Sequence, residues 1–223
     1  MKYGIIGALD EEVSLFAAAM DSPRETKACG CTFREGMLDG HEAVVVCCSV
    51  GKVNAAVCTT ILIREFGCGA VINAGVAGAM GEGLHTLDVV LSTDVVLHDE
   101  DAIMAKYYPF ETDFKADAGL LSAAQAACRR AGLSFCSGRI ATGDRFVAGG
   151  ELYDSIKKAF APLAVEMEGG AVAKTCYMNE TPFLVIRTMS DSADDDADVS
   201  YDNFLSRAAH QSAAIVRGML QTL

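Results

Sequence analysis

Tryptophan is absent from the 223 residues, aromatic side chains make up 7%, and proline occurs only four times. Without large rings, the core has to be closed by small aliphatic side chains, and Ala, Gly and Val are plentiful. That composition suits helices packed closely on a sheet. No Cys-x-x-Cys occurs among the nine cysteines, and most of them lie in apolar runs such as Val44-Val45-Val46-Cys47-Cys48. An odd number without paired spacing argues against a disulfide framework and reads as small hydrophobes in a reducing compartment. Positive charge is also scarce: 18 Lys and Arg stand against 30 Asp and Glu, for a formal net charge of −12. Such a surface repels a phosphodiester backbone, so nucleic acid is set aside as a partner, whereas a small uncharged ligand is unaffected. Long apolar runs are missing too. The longest uncharged stretch, Phe66 to Gly81, is glycine-rich and short of a membrane span. The N-terminus turns acidic at Asp10-Glu11-Glu12, too soon for a secretory signal. The expectation is a cytoplasmic protein with no membrane partner.

What is present is 51% hydrophobic sequence, enough for one large core, and a single domain over residues 1–223 is expected. Apolar residues 2–8 read as a strand, after which Asp10 is expected to cap a helix carrying Val13, Phe16 and Met20. Residues 32–38 and 42–49 read as strands joined at Asp39-Gly40, a strong hairpin signal. A helix over about 52–66 follows, then a buried strand at 69–74 that runs into a glycine-rich turn, Gly75 to Gly81. The rest alternates: strand 88–96, helix 117–131, strand 134–141, helix 150–159, strand 163–167, helix 169–178, strand 182–189 and a last helix from about 200 to 222. This alternation predicts an α/β chain, a three-layer αβα sandwich around a central mixed, largely parallel twisted sheet.

In such sheets ligands gather at the carboxyl ends of strands. Four features fall there: Leu9–Glu12, Gly75–Gly78, Glu166–Glu168 and Arg187–Asp191. Other motifs fail when tested. The glycines at 75, 78 and 81 lack dinucleotide-loop spacing, and Gly51-Lys52 lacks the rest of a phosphate loop. Asp194, Asp196 and Asp198 imitate a calcium loop, but Val199 and Leu205 stand where its glycine and glutamate belong. His98-Asp99-Glu100-Asp101 has no companion cluster of His or Cys, so no metal is expected.

Four stretches are specific together: Gly4-Ile5-Ile6-Gly7-Ala8 with Glu11-Glu12-Val13; Asn73-Ala74-Gly75-Val76-Ala77-Gly78; Ala164-Val165-Glu166-Met167-Glu168; and Arg187-Thr188-Met189-Ser190-Asp191. With Gly143-Asp144-Arg145-Phe146 and Ser200-Tyr201-Asp202, they give a chain that resembles the methylthioadenosine/S-adenosylhomocysteine nucleosidases, within the nucleoside phosphorylase fold. The resemblance runs from Met1 to the last helix. It implies hydrolysis of the N-glycosidic bond of a 5′-substituted adenine nucleoside, without metal or organic cofactor, by a homodimer whose interface includes residues 99–110.

By this resemblance Asp191, supported by Ser190, is the acid that protonates adenine N7. Glu12 is the base that activates water, and Arg187 helps to order that site. Glu168 binds the ribose diol, with Met167 against the sugar. Phe146 stacks on adenine, the Val147 backbone reads the base edge, and Tyr201 packs near the ribose and the 5′ group. Leu9, Val50, Val76, Gly78 and Glu166 complete the expected binding wall. The chemistry accounts for the carboxyl groups. Cleavage leaves a cation-like sugar and an electron-rich base, so one acid protonates the base while a carboxylate opposite activates water.

Two departures bear on specificity. Val76 stands where the family often has Ser, and the segment from Glu100 to Pro109 lacks the usual Phe-Gly-containing stretch. The 5′ preference among methylthioadenosine, S-adenosylhomocysteine, 5′-deoxyadenosine and aminodeoxyfutalosine therefore stays open. Two alternatives stay open as well: a purine nucleoside phosphorylase, which needs a phosphate pocket, and a nucleoside-binding sensor without catalysis.

Overall fold

The computed structural model describes residues 1–191, 193 and 197–223. In chain order the elements are β1 (Tyr3–Gly7), α1 (Asp10–Ala19), β2 (Asp21–Ala28), β3 (Cys31–Leu38), β4 (His41–Cys47), α2 (Lys52–Arg64), β5 (Ala70–Ala79) and β6 (Val89–Leu97). A short 3₁₀ turn (Ala102–Lys106) precedes β7 (Asp113–Lys115), α3 (Ala118–Ala131), β8 (Phe135–Thr142) and α4 (Gly150–Phe160). The chain ends with β9 (Ala164–Glu166), α5 (Gly169–Met178), β10 (Phe183–Asp191) and α6 (Ala197–Leu220). No helix among the described residues is long and apolar enough to cross a membrane.

All ten strands join one mixed sheet. Its middle, β4–β1–β5–β10, is parallel, as are β6–β8 and β8–β9. Antiparallel ladders extend it through β3 and β2 and link β10 to β6. β5 pairs with β1 and β10 along most of its length, and its last residues, Gly78 and Ala79, pair with β9. The sheet therefore curls around the end of β5, where β9 and β10 also finish.

Burial explains the strands. Ala43 to Val46 of β4 and all nine residues of β10 are buried, as expected where helices cover both faces. One apolar cluster packs α1, α3 and α6 against one face, through residues such as Phe16, Leu120, Ala124 and Val216. A second packs α2 and α5 against the other, through Cys58, Leu62, Val172 and Cys176. This is the expected three-layer sandwich. All nine cysteines are free, five are buried, and only Cys29 is exposed.

The turn at Asp39-Gly40 takes positive φ at both residues, +48° and +90°, matching the type I′ hairpin that Asp-Gly favours. Both Asp39 carboxylate oxygens accept bonds from Arg217 of α6, at 2.8 and 2.9 Å, so the hairpin is tied to the last helix.

Three expectations need correction. Residue 9, not Asp10, is the N-cap of α1; Leu9 has no side-chain acceptor, and Glu12 reaches back to the Leu9 N–H instead. Gly75 to Ala79 is strand, not turn. β2 and β7 were not expected at all. In the imagined calcium loop, Asp194, Asp196 and the Asp198 side chain lie outside the described residues.

Candidate active site

Glu12 sits in the first turn of α1 and bends back over the end of β1. One oxygen accepts the N–H of Ala8 at 2.6 Å and of Leu9 at 3.1 Å; the other accepts the N–H of Val76 at 3.0 Å. A carboxylate there is favoured by the helix dipole and satisfies three amides. It also fills space that a side chain on β5 would need. A Cβ at Gly75 would lie 2.3 Å from Glu12 Oε1. That is the reason for glycine at 75: close approach, within a regular strand.

Gly78 repeats the device. A Cβ there would lie 2.8 Å from Asp191 Oδ1, and Gly78 is the ladder partner of Asp191. Asp191 ends β10 and is buried; its Oδ2 accepts the Ser190 hydroxyl at 2.8 Å and its Oδ1 the Ala193 N–H at 2.8 Å. Glycines 75 and 78 are three strand residues apart, about 10 Å along the strand. The two acids therefore flank a space and do not share one point.

The third carboxyl group enters from β9 and α5. Glu168 is buried and accepts the N–H of Gly51, from the start of α2, at 2.8 Å. Burial pushes it up to about 8, helped by repulsion from Glu166 and opposed by Arg187 and the Gly51 amide. Burial also raises Glu12, against the pull of Arg187 and of its three amide donors. Carboxyl groups drawn toward neutrality in a concave site are suited to proton transfer near pH 7.

Arg187 supplies the compensating charge from behind. Only 1% exposed, it donates to Asn73 Oδ1 at 2.6 Å and to Glu166, and stands 3.9 Å from Glu168. Glu166 also accepts the amides of Glu168 and Gly169, at 3.1 and 2.7 Å, and the Thr142 hydroxyl. Burying so many charges is tolerable because they are paired and bonded.

These groups border a cavity of about 450 Å³ lined by Ala8, Leu9, Glu12, Val50, Val76, Ala77, Gly78, Arg145, Phe146, Val147, Val165, Glu166, Met167, Glu168, Ser190, Asp191 and Tyr201. Phe146 is 46% exposed, a large ring held open to solvent at the cavity, and meets Tyr201 edge to face with centroids 5.8 Å apart. Burial, with the surrounding carboxylates, pushes the Tyr201 phenol up to about 12, so it stays a hydroxyl donor. Every residue expected at the site borders this cavity except Arg187, which stands behind it. Ala8, Ala77, Arg145 and Val165 line it without having been foreseen. All four lie within the specific stretches of the sequence; Ala8, Ala77 and Val165 carry no chemical signature of their own, and Arg145 directly precedes Phe146.

An apolar wall with a few convergent acids suits a small polar ligand with a flat ring. Residues 2–221 match the Phosphorylase superfamily. Among curated relatives, the chain is 41% identical over 230 residues to the 5′-methylthioadenosine/S-adenosylhomocysteine nucleosidase of Geobacillus kaustophilus, covering 100% of this chain and 98% of that one. Among solved structures, it superposes with a TM-score of 0.96 at 40% identity on the corresponding nucleosidase of Neisseria meningitidis in complex with methylthio-immucillin-A, covering 100% and 99% of the two chains. The nucleosidase of Colwellia psychrerythraea in complex with adenine matches with a TM-score of 0.94 at 35% identity, covering 100% and 96%.

Proposed function

The chain belongs to the phosphorylase superfamily and, within it, to the 5′-methylthioadenosine/S-adenosylhomocysteine nucleosidases, and from that premise we infer that it hydrolyses the bond between adenine and ribose in 5′-substituted adenine nucleosides. The observation that carries the reading is the convergence of Glu12, Glu168 and Asp191 on one cavity with an open aromatic ring in its wall.

Adenine stacks on Phe146, with the Val147 backbone at its edge and Met167 against the sugar. Glu168 accepts the ribose hydroxyls. Protonated Asp191, held by Ser190, donates to N7 as the N9–C1′ electron pair withdraws into the base. Water, deprotonated by Glu12, attacks C1′ from the other side. Adenine and the free sugar result, with one water consumed. The cation-like sugar forms between carboxylates, which stabilise it as charge develops. Raising Glu12 toward neutrality strengthens it as a base, and three amides fix its direction. Arg187 lies behind these acids and orders them. Glu12 over Gly75 would repel a phosphate nucleophile, which disfavours a phosphorylase, and the presence of all three carboxyl groups at the cavity disfavours a sensor without catalysis.

The test is adenine release from methylthioadenosine, followed with and without phosphate. The expected result is equal rates in both buffers; dependence on phosphate, or no release, overturns the reading. A competition among methylthioadenosine, S-adenosylhomocysteine, 5′-deoxyadenosine and aminodeoxyfutalosine ranks the 5′ groups. The protein acts as a single-domain homodimer in the cytoplasm on this reading. Support for the dimer comes from Ile103, Met104, Tyr107, Tyr108 and Phe110, all exposed within residues 99–110. Support for the compartment comes from nine unpaired thiols.

A further inference from the structure

Two motifs set aside as phosphate and metal signals, Gly51-Lys52 and His98-Asp99, come together beside the cavity with Asp144 of the Gly143–Phe146 stretch. Lys52 opens α2, Asp99 follows β6, and Asp144 lies in the loop after β8, two residues before Phe146. The Lys52 ammonium bonds Asp99 at 2.5 Å and stands 3.6 Å from Asp144. Asp99 also accepts the Asp144 N–H at 2.9 Å, and Asp144 accepts the Lys52 N–H at 2.9 Å. Each pair is thus joined, and two of the joints run to backbone.

We propose that Lys52, Asp99 and Asp144 form a positioning clamp that sets the adenine-side wall of the cavity, at Phe146 and Val147, against the ribose-side carboxylate Glu168. The proposal rests on the nucleosidase reading above. Its central observation is that consecutive amides at the start of α2 are divided between the two sides. Gly51 N–H holds Glu168, and Lys52 N–H holds Asp144. Gly51 has φ +104° and a Cβ on it would lie 3.3 Å from Asp144, so this short bridge needs glycine. Gly143 is pinned from above, since a Cβ there would meet the His98 ring at 2.2 Å.

An isolated exposed pair is worth little, but here three charges and two backbone amides close a ring. Lys52 and the Asp144 amide together outweigh burial and hold the Asp99 carboxyl below its ordinary value. None of the three side chains lines the cavity, so they act through Phe146 and Glu168. Loosening a wall that holds adenine equally in the bound substrate and in the transition state raises KM while leaving kcat nearly unchanged.

The experiment compares Asp99→Asn, Lys52→Met and Lys52→Arg with the unaltered protein, measuring kcat and KM for methylthioadenosine and the affinity for adenine. The expected result is a rise of about tenfold in KM and in the adenine Kd for Asp99→Asn and Lys52→Met, kcat within about threefold, and partial recovery in Lys52→Arg. Folded variants with unchanged KM and adenine affinity beside an active parent overturn the clamp alone. A loss confined to kcat, or Lys52→Arg no better than Lys52→Met, also overturns it. A parent that neither cleaves methylthioadenosine nor binds adenine overturns the nucleosidase reading, and the clamp with it.

Discussion

Asp191 and Glu168 have different work in the proposed reaction, and their surroundings separate them at the scale of single atoms. Asp191 accepts the Ser190 hydroxyl on Oδ2 and the Ala193 amide on Oδ1. An amide in its place keeps the shape but has no acidic proton for N7. Asp191→Asn is therefore expected to lower kcat by about 10²–10⁴ while the melting temperature stays close to the parent's. Near-normal adenine release by that variant would remove Asp191 from the mechanism. Glu168 should read the sugar diol, so Glu168→Gln is expected to impair binding and turnover together. A 2′,3′-dideoxy substrate cleaved as well as its parent would argue against that role. The acids themselves were legible from their types and order. Their support was not: nothing in the sequence says that Asn73 grips Arg187, or that Gly51 and not a side chain holds Glu168.

At the scale of elements, periodicity gave the hairpin at Asp39-Gly40 and α5 at 169–178, where turn chemistry or an apolar run is strong. β2 escaped because its residues, Asp21-Ser22-Pro23-Arg24-Glu25-Thr26-Lys27-Ala28, are mostly polar and none is buried. Among the described residues it is an edge strand paired with β3 alone, where charge and proline protect an open edge and erase the hydrophobic signal. β7 has three residues, too few for any pattern. Glycines 75 and 78 misled for another reason. Glycine commonly marks a bend, but here it leaves room for carboxylates that arrive from elsewhere in the chain. Behind them, Ser212 of α6 donates to Gly75 O at 2.8 Å and pairs with the Thr188 hydroxyl at 2.8 Å, tying the helix to both β5 and β10. Ser212→Ala leaves a buried hydroxyl and a carbonyl short of partners. It should cost about 1–3 kcal/mol, read from the midpoint of denaturant unfolding. No change in midpoint would show that the helix docks by apolar contact alone.

For the molecule as a whole, Glu12 and Glu168 are carboxyl groups whose folded values lie above their ordinary one of 4.5. The fold binds these protons more tightly than the unfolded chain. Its stability from them is complete below pH 4.5 and is lost as pH rises through the folded value, about 8 for Glu168. Replacing Glu168 by Gln removes the cost of a buried charge, while an amide oxygen still accepts the Gly51 N–H and Arg187 keeps Glu166. The Tm gap between Glu168→Gln and the parent should be small near pH 5 and widen toward pH 8 in favour of the variant. A constant gap, or a variant less stable throughout, would contradict this. The site is then a place where the fold gives up stability for chemistry.

The glycines of β5 also constrain how this chain could vary by descent. Position 75 carries no side chain because the Glu12 carboxylate already occupies that volume, so the two positions are not free to change one at a time. Gly75→Ala alone should displace the carboxylate from the Val76 amide and destabilise the protein. Beside the shorter Glu12→Asp, the same alanine should be better tolerated. In a four-way thermal denaturation comparison, the pair should depart from additivity by about 0.5–3 kcal/mol in the favourable direction. Strict additivity would mean that the strand yields instead. If the coupling holds, a residue in a helix and one in a strand, 63 positions apart, are inherited as one character.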